Sequence, residues 1–312
     1  MNYKKWIDPE LGRIARNFPY NKTIIKCANV FQAISFYLIR LPKGVCSQSI
    51  VIEGYKGLRF KTEIFEPSNR KEKLPCLIYA HGGAFSYKAS AYHKKLACMY
   101  AMNVKCRVFF PDYHLTPKYP YPAAYEDIRM LYKCIVENSE KFGIDAERIG
   151  VAGDSAGASL VALICNRYEQ EGLKQPCLQM LVYPLTDITM QTDSMKRFPD
   201  TPLWNAENNK RMWSYYCGNL SAEDACSASP MHSSLPHTIP DTYIETAEYD
   251  CLHDEGILYG KKLREAGAKV EINETRGTIH GYDSALNTKI AIRNIEKRVL
   301  FLRKKFGGYS PV

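Results

Sequence analysis

The chain has 312 residues, of which 46% are hydrophobic and 24% are charged, and its formal net charge is +9. These values predict a soluble globular protein with a substantial core. The eleven cysteines are scattered, odd in number and without CxxC spacing. They favour neither a metal site nor a disulfide framework, and they indicate a reducing, cytoplasmic environment.

The N-terminal stretch predicts neither a signal peptide nor a transmembrane helix. Its most apolar run, IIKCANVFQAISFYLI (24–39), is short for a bilayer span and contains polar residues. The run is typical of an amphipathic helix packed on the body of the protein, so we expect no stable membrane insertion. The stripe expected to face the body consists of Ile24, Ala28, Phe31, Ile34 and Leu38.

Basic residues recur at helical spacing near the C-terminus. They could attract nucleic acid or anionic lipid, but no nucleic-acid-binding motif accompanies them. We therefore expect a solvated helix face and no nucleic-acid partner. The residues are Arg293, Lys297, Arg298, Arg303, Lys304 and Lys305.

From about residue 48, short apolar runs alternate with helical stretches. A strand pair comes first, followed by two strands around a helix near 90–103. Further helices are expected from Pro122 to Gly143 and from Ala158 to Gly172, each ending at a glycine. The alternation predicts an α/β fold with a mostly parallel, doubly wound sheet covered on both faces. The strands are QSIVIEG, LRFKTEIFE, LPCLIYA, CRVFFPD, RIGVAG, LQMLVYPL, DTYIETAEYD and KVEINET, with the helix GILYGKKLREAG between the last two.

Two segments interrupt the alternation, residues 1–47 and the insert 188–235. Long inserts between regular units are usually functional lids or additional domains. We expect both segments to fold together as a helical cap above a catalytic domain formed by 48–187 and 236–312. The aromatic side chains of the insert could line a pocket or belong to a core: Trp204, Trp213, Tyr215 and Tyr216.

Ser155 lies in GVAGDSAGASL (150–160), between a predicted strand and a predicted helix. This pattern matches the G-x-S-x-G nucleophile elbow, a sharp turn that exposes the serine hydroxyl above the carboxyl edge of the sheet. Gly153 and Gly157 are needed because strand and helix meet there without room for side chains. A serine hydroxyl is a weak nucleophile, so an oriented base must accompany it.

In this kind of fold the acid and then the histidine follow the serine along the chain. His280, just beyond the strand KVEINET, is the best placed of the seven histidines. Asp250 directly follows the strand DTYIETAEY, whereas Asp254 lies one turn further on, where it would begin a helix. We therefore predict His280 as the base and Asp250 as the acid that orients it.

The stretch HGGAF (81–85) follows the strand LPCLIYA. Two adjacent glycines allow the backbone to turn its N–H groups toward a substrate oxygen. We predict an oxyanion hole formed by the backbone N–H groups of Gly82, Gly83 and Ala156.

Together these stretches resemble the α/β-hydrolases of the hormone-sensitive lipase group, which includes bacterial acetyl esterases. The resemblance runs from about residue 74 to 305 and rests on HGGAF, PDYHLTPKYPYPAAYED, GDSAGA, ASPMHSSL, ETAEYDCLHDEG and HGY, in this order. It implies the α/β-hydrolase fold with a helical cap, a triad of Ser155, Asp250 and His280, and the same oxyanion hole. Ala84 replaces the third glycine of the family's HGGG stretch, and His114 stands where the family usually has arginine.

The predicted function is a serine carboxylesterase that hydrolyses short-chain acyl esters, from acetyl to butyryl, through an acyl-enzyme intermediate. The alternatives are an amidase or peptidase with the same triad and a non-catalytic small-ligand receptor on the same fold. No metal and no organic cofactor is implied. The expected partner is a small-molecule ester, and a homo-oligomer paired through an edge strand is possible.

Overall fold

A single sheet forms the centre of the computed structural model, which describes residues 3–69 and 73–307. Its eight strands are β1 (Val45–Glu53), β2 (Arg59–Pro67), β3 (Leu74–Ala80), β4 (Arg107–Pro111), β5 (Ile144–Asp154), β6 (Leu178–Val182), β7 (Asp241–Tyr249) and β8 (Val270–Ile279). Their order across the sheet is β1-β2-β4-β3-β5-β6-β7-β8. β2 pairs antiparallel with β1 and β4, and the other pairs of described strands are parallel. The predicted mostly parallel sheet is confirmed.

Helices pack around this sheet. Every residue of β4 and β6 is buried, which requires cover on both faces and explains why only Arg107 and Gln179 interrupt their apolar sequences. The helices are α1 (Lys22–Leu38), α2 (Ala91–Val104), α3 (Ala123–Glu137), α4 (Ala156–Arg167), α5 (Asp193–Arg197), α6 (Ala206–Cys217), α7 (Ala222–Cys226), α8 (His253–Glu265) and α9 (Lys289–Lys305). α2 packs against α1 and α9, whereas α3 packs against α4.

Two helices end earlier than the sequence predicts. α3 ends at Glu137 rather than near Gly143, because the backbone N–H of Asn138 closes the last turn on the Cys134 carbonyl and the chain then continues in turns. α4 ends at Arg167 rather than Gly172. The two glycines have positive φ angles of 60° and 63°, so they end the turns that follow the helices.

The predicted packing face of α1 is wrong. Ile24, Phe31, Ile34 and Leu38 are exposed to solvent, and Ala28 is only partly buried. The helix instead packs through the neighbouring face. The side chain of Asn29 bonds to the backbone of Ser86 and Lys88, and the Phe36 ring stacks on Phe110 at 5.7 Å. These tertiary contacts select one of two apolar faces.

The N-terminal segment and the insert contact each other. The Tyr3 hydroxyl donates to Asp200 Oδ1 at 2.6 Å, and the Tyr20 ring meets the Trp204 ring edge-on at 5.5 Å. The insert carries α5, α6 and α7. Their role as a cap stays a prediction, and the outer ends of the predicted regions, 1–2 and 308–312, lie outside the described residues.

The C-terminal basic cluster is not uniformly solvated. Arg298 is fully buried in α9, which corrects its assignment to a solvated face, while Arg293 and Lys297 on the same helix are exposed. Lys304 pairs with Glu271 at 3.1 Å. Within residues 3–69 and 73–307, no helix has both the length and the apolar character needed to cross a bilayer.

Candidate active site

Ser155 lies in a sharp turn between β5 and α4. Its φ and ψ angles are 53° and −120°, a strained combination for a residue with a side chain, and such strain clusters at functional sites. A Cβ atom at Gly157 would come within 2.1 Å of the Ala80 carbonyl oxygen, and one at Gly153 within 2.4 Å of the Gly157 backbone. Only glycine allows strand and helix to approach this closely around the serine.

The structure brings Ser155, His280 and Asp250 together from three different sheet ends. His280 Nε2 lies 2.8 Å from Ser155 Oγ, and its Nδ1 lies 2.6 Å from Asp250 Oδ2. Since a carboxylate only accepts, Nδ1–H donates to Asp250, and Nε2 then presents its lone pair to the serine hydroxyl. This is the tautomer that a general base requires.

Asp250 and Asp254 occupy different environments. Asp250 is fully buried, and its second oxygen accepts the Leu252 backbone N–H at 3.0 Å. Asp254 lies away from His280: it accepts the Ser194 backbone N–H at 2.7 Å and contacts His253. Burial alone would raise the pKa of Asp254, but the hydrogen bonds from His253 and Ser194 hold it below its usual value. Asp254 therefore connects α8 to the insert.

The loop after β3 approaches the serine from the other side. Gly83 and Ala84 line the cavity in front of Ser155, whereas Ala156 is buried as the first residue of α4. Within the described ranges, the backbone N–H groups of Gly83 and Ala156 donate to no protein acceptor. Ala84 has φ of 54°, a conformation that costs a residue with a Cβ roughly 1 kcal/mol.

A buried ionic network that sequence reasoning missed supports the loop carrying His280. Arg298 donates to Asp283 Oδ2 at 2.6 Å and also pairs with Glu245. The Tyr183 hydroxyl donates to Asp283 Oδ1 at 2.6 Å, and its ring lies 4.6 Å from that of His280. Asp283 follows His280 by three residues, so the network fixes both the loop and the imidazole ring. The position of Asp283 in HGYDS was the available sequence signal.

A second Asp–His pair, also missed, lies behind the elbow. Asp154 Oδ2 is 3.3 Å from His93 Nε2, and Asp154 Oδ1 accepts the Tyr79 hydroxyl at 2.9 Å. Burial alone would raise the pKa of Asp154, but His93 and the Tyr79 hydroxyl hold it below its ordinary value. The neighbouring His81 is fully buried, and burial together with His93 lowers its pKa to about 4. His81 is therefore neutral near pH 7.

His114 retains an acidic partner although it replaces the family's arginine. Its Nδ1 lies 2.6 Å from Asp127 Oδ2, and its backbone N–H donates to the same oxygen at 2.8 Å. Burial raises the pKa of Asp127, while bonds from Tyr55 and His114 act in the opposite direction. The pair ties the loop after β4 to α3.

The cavity at Ser155 has a volume of about 200 Å³. Tyr92, Tyr183, Leu203 and Trp204 form much of its wall, together with His280. Of the four aromatic residues singled out in the insert, Trp204 lines this cavity. Trp213 and Tyr216 are buried, with the Tyr216 ring stacked on Phe85 at 3.7 Å, and Tyr215 packs beside Tyr20.

The sequence pattern of the α/β hydrolase fold family matches residues 77–284, well over half of the chain. The chain belongs to the α/β-hydrolase fold family. This hydrolase is 29% identical over 290 residues to carboxylesterase NlhH of Mycobacterium tuberculosis, with 88% of each chain covered. It is 30% identical over 240 residues to ethyl acetate hydrolase of Pseudomonas putida, with 76% of each covered.

Solved structures agree with these relatives. The hydrolase matches a bacterial heroin esterase with a TM-score of 0.86 and 27% identity, covering 97% of this chain and 98% of the other. Esterase LipW from Mycobacterium marinum matches with the same TM-score and 26% identity. The predicted membership of the hormone-sensitive lipase group is confirmed, and the chain is similar to bacterial esterases.

Proposed function

We propose that this carboxylic ester hydrolase cleaves short-chain acyl esters, from acetyl to butyryl, through an acyl-enzyme on Ser155. The observation that carries the proposal is the hydrogen-bonded chain from Ser155 Oγ through His280 to Asp250, with its two contacts of 2.8 and 2.6 Å. An imidazole in this arrangement can accept the serine proton as the hydroxyl attacks an ester carbonyl.

In the first step, Ser155 Oγ attacks the carbonyl carbon and its proton moves to His280 Nε2. The carbonyl oxygen becomes an oxyanion. We propose that it is stabilised by the backbone N–H groups of Gly82, Gly83 and Ala156. Asp250 accepts the Nδ1–H bond throughout and stabilises the imidazolium. The C–O bond to the alcohol then breaks, and the leaving alkoxide takes the proton from Nε2.

In the second step, water attacks the acyl-enzyme. His280 accepts a proton from the water, and the ester bond to Ser155 Oγ breaks as that oxygen regains a proton. The products are a carboxylic acid and the restored serine. This sequence needs no group beyond the side chains and backbone amides named here.

The size of the cavity supports a short acyl group. Its volume of about 200 Å³ is below the usual range for drug-sized ligands, roughly 300–1,000 Å³. Leu203 and Trp204 limit it, which also supports a capping role for the insert 188–235. The capping role proposed for residues 1–47 is supported by the contact of Tyr20 with Trp204. The relative named ethyl acetate hydrolase is in line with such a preference. We also propose a cytoplasmic location, because all eleven cysteines are free thiols.

A series of p-nitrophenyl esters from acetate to palmitate tests the proposal, with Ser155→Ala as the control. We expect kcat/KM to peak at acetate or butyrate and to vanish in Ser155→Ala. A peak at long chains would contradict the acyl preference. Turnover of small amides in preference to esters would favour the alternative of an amidase. Ligand binding without any turnover would favour a receptor.

A further inference from the structure

The solvent face of α1 is apolar along its length. The exposed large hydrophobic side chains of this helix have between 37% and 74% of their surface accessible: Ile24, Val30, Phe31, Ile34, Tyr37 and Leu38. At 100° per residue they span an arc of about 140° on one side of the helix. In this fully described helix that arc bears no charged side chain, and Lys26 lies about 20° and Lys22 about 60° outside it. Isolated exposed hydrophobics are ordinary, but a contiguous face of this kind indicates a partner.

The chain segment that contains α1 is basic, although Glu63 and Asp112 line the same pocket as Tyr37. Between Glu10 and Glu53 there is no acidic residue. The same stretch contains six basic residues: Arg13, Arg16, Lys22, Lys26, Arg40 and Lys43. The partner of the α1 face should therefore be apolar in its interior and anionic at its surface.

The apolar face borders a groove next to the catalytic cavity. Ile24, Ala28 and Phe31 of α1 line a groove of about 620 Å³. Its opposite wall includes Tyr92 and Trp204, which also line the cavity at Ser155. The groove along α1 and the cavity at Ser155 are therefore neighbours that share part of one aromatic wall.

We propose that the exposed face of α1 docks the enzyme on the surface of an anionic phospholipid bilayer. An amphipathic helix with an apolar face and flanking lysines lies in the headgroup region, where cations add electrostatic attraction. α1 has 17 residues and is therefore about 26 Å long, enough to lie flat along the surface. A second copy of the chain fits less well, because a symmetric contact through this face would bring two sets of the same six cations together.

Co-sedimentation with vesicles tests this proposal on the intact chain. We expect binding to phosphatidylcholine vesicles that contain phosphatidylglycerol, weaker binding to pure phosphatidylcholine, and release by high salt. Ile34→Gln/Leu38→Gln should lower the partition coefficient at least about ten-fold, because two apolar side chains no longer enter the bilayer. Neither residue lines the groove or the cavity, so hydrolysis of p-nitrophenyl acetate without vesicles should be unchanged.

Leu258→Gln/Leu300→Gln is the matched control, since both leucines are 47% exposed and lie on α8 and α9. This control should bind vesicles like the unmodified protein. Equal loss in both double variants, or no binding of the unmodified protein to the anionic vesicles, would overturn the proposal. So would a self-associated species in sedimentation velocity that Ile34→Gln/Leu38→Gln dissociates while vesicle binding is absent. These readouts do not require ester hydrolysis, so they are independent of the proposed function.

Discussion

Two Asp–His pairs flank the same serine, and their difference shows what the proposed chemistry requires. In front of Ser155, His280 uses Nδ1 to bond Asp250 and directs Nε2 at the serine hydroxyl. Behind it, His93 Nδ1 accepts the Ser90 backbone N–H at 3.0 Å, and its Nε2 faces Asp154 at 3.3 Å. His93 thus has both nitrogens occupied by groups that hold structure.

The Asp–His pair alone therefore does not identify a base. What distinguishes the front pair is a ring nitrogen with its lone pair aimed at a nucleophile. The back pair joins the N-terminus of α2 to the elbow, close to the loop that bears Gly83. We therefore propose that His280 acts as the base and that His93 holds the elbow in position.

The largest effect should come from removing the front imidazole. His280→Ala is expected to lower kcat on the order of 10⁵- to 10⁶-fold, because the serine loses its base. Steady-state hydrolysis of p-nitrophenyl acetate, with folding checked by circular dichroism, measures it. Residual activity within ten-fold of the unmodified enzyme would remove His280 from the mechanism.

Replacing each of two neighbouring aspartates by asparagine tests which one orients His280. Asp250→Asn should lower kcat by roughly 10⁴-fold, since an amide favours the wrong imidazole tautomer. Asp254→Asn should leave kcat within a few-fold, because Asp254 bonds Ser194 and His253. The reverse order in the same assay would mean that Asp254 is the orienting acid.

The buried Arg298 network supports the loop that carries His280, and its contribution can be measured as a free energy of unfolding. Arg298→Met leaves Glu245 and Asp283 buried without their cation, and we expect a loss of about 3–5 kcal/mol in the free energy of unfolding. Arg293→Met, an exposed arginine on the same helix, should change it by less than about 0.5 kcal/mol. Urea unfolding compares them, and equal effects would contradict a special role for the buried network.

The buried imidazole of His81 should make the free energy of unfolding depend on pH. The folded-state pKa of His81 is about 4, below its ordinary value of 6.5, so the unfolded chain binds more protons between these values. The free energy of unfolding should therefore fall by up to about 3 kcal/mol as pH drops through that window. Urea unfolding of His81→Asn should show a shallower dependence, whereas the exposed His237→Asn should not. An unchanged slope in His81→Asn would refute this assignment.

The smallest effect is expected from the back imidazole. His93→Phe should reduce kcat/KM by about 10- to 100-fold through a displaced elbow and loop, with the shape of the pH–rate profile retained. A loss as large as that of His280→Ala, or an altered profile, would show that the two pairs are chemically equivalent after all.

Sequence patterns anticipated which side chains come together at Ser155 better than they anticipated what surrounds them. Chain order and strand ends were enough to predict that Ser155, Asp250 and His280 lie together, because parallel strands carry their following residues to one sheet edge. The face of α1 was predicted wrongly, since the helix is apolar on two sides and only contacts such as Phe36 with Phe110 decide between them. The network around Arg298 joins β7, the His280 loop and α9, and apart from the position of Asp283 in HGYDS no local spacing indicates its members.

Direct detection of the acyl-enzyme tests the central proposal most directly. The protein would be mixed with p-nitrophenyl acetate, quenched in acid during turnover, digested and analysed by mass spectrometry. We predict a burst of p-nitrophenol and an acetyl group on the peptide containing Ser155, with both absent in Ser155→Ala. Sustained turnover without a modified Ser155, or acetylation at another residue that accounts for the burst, would contradict the proposed mechanism.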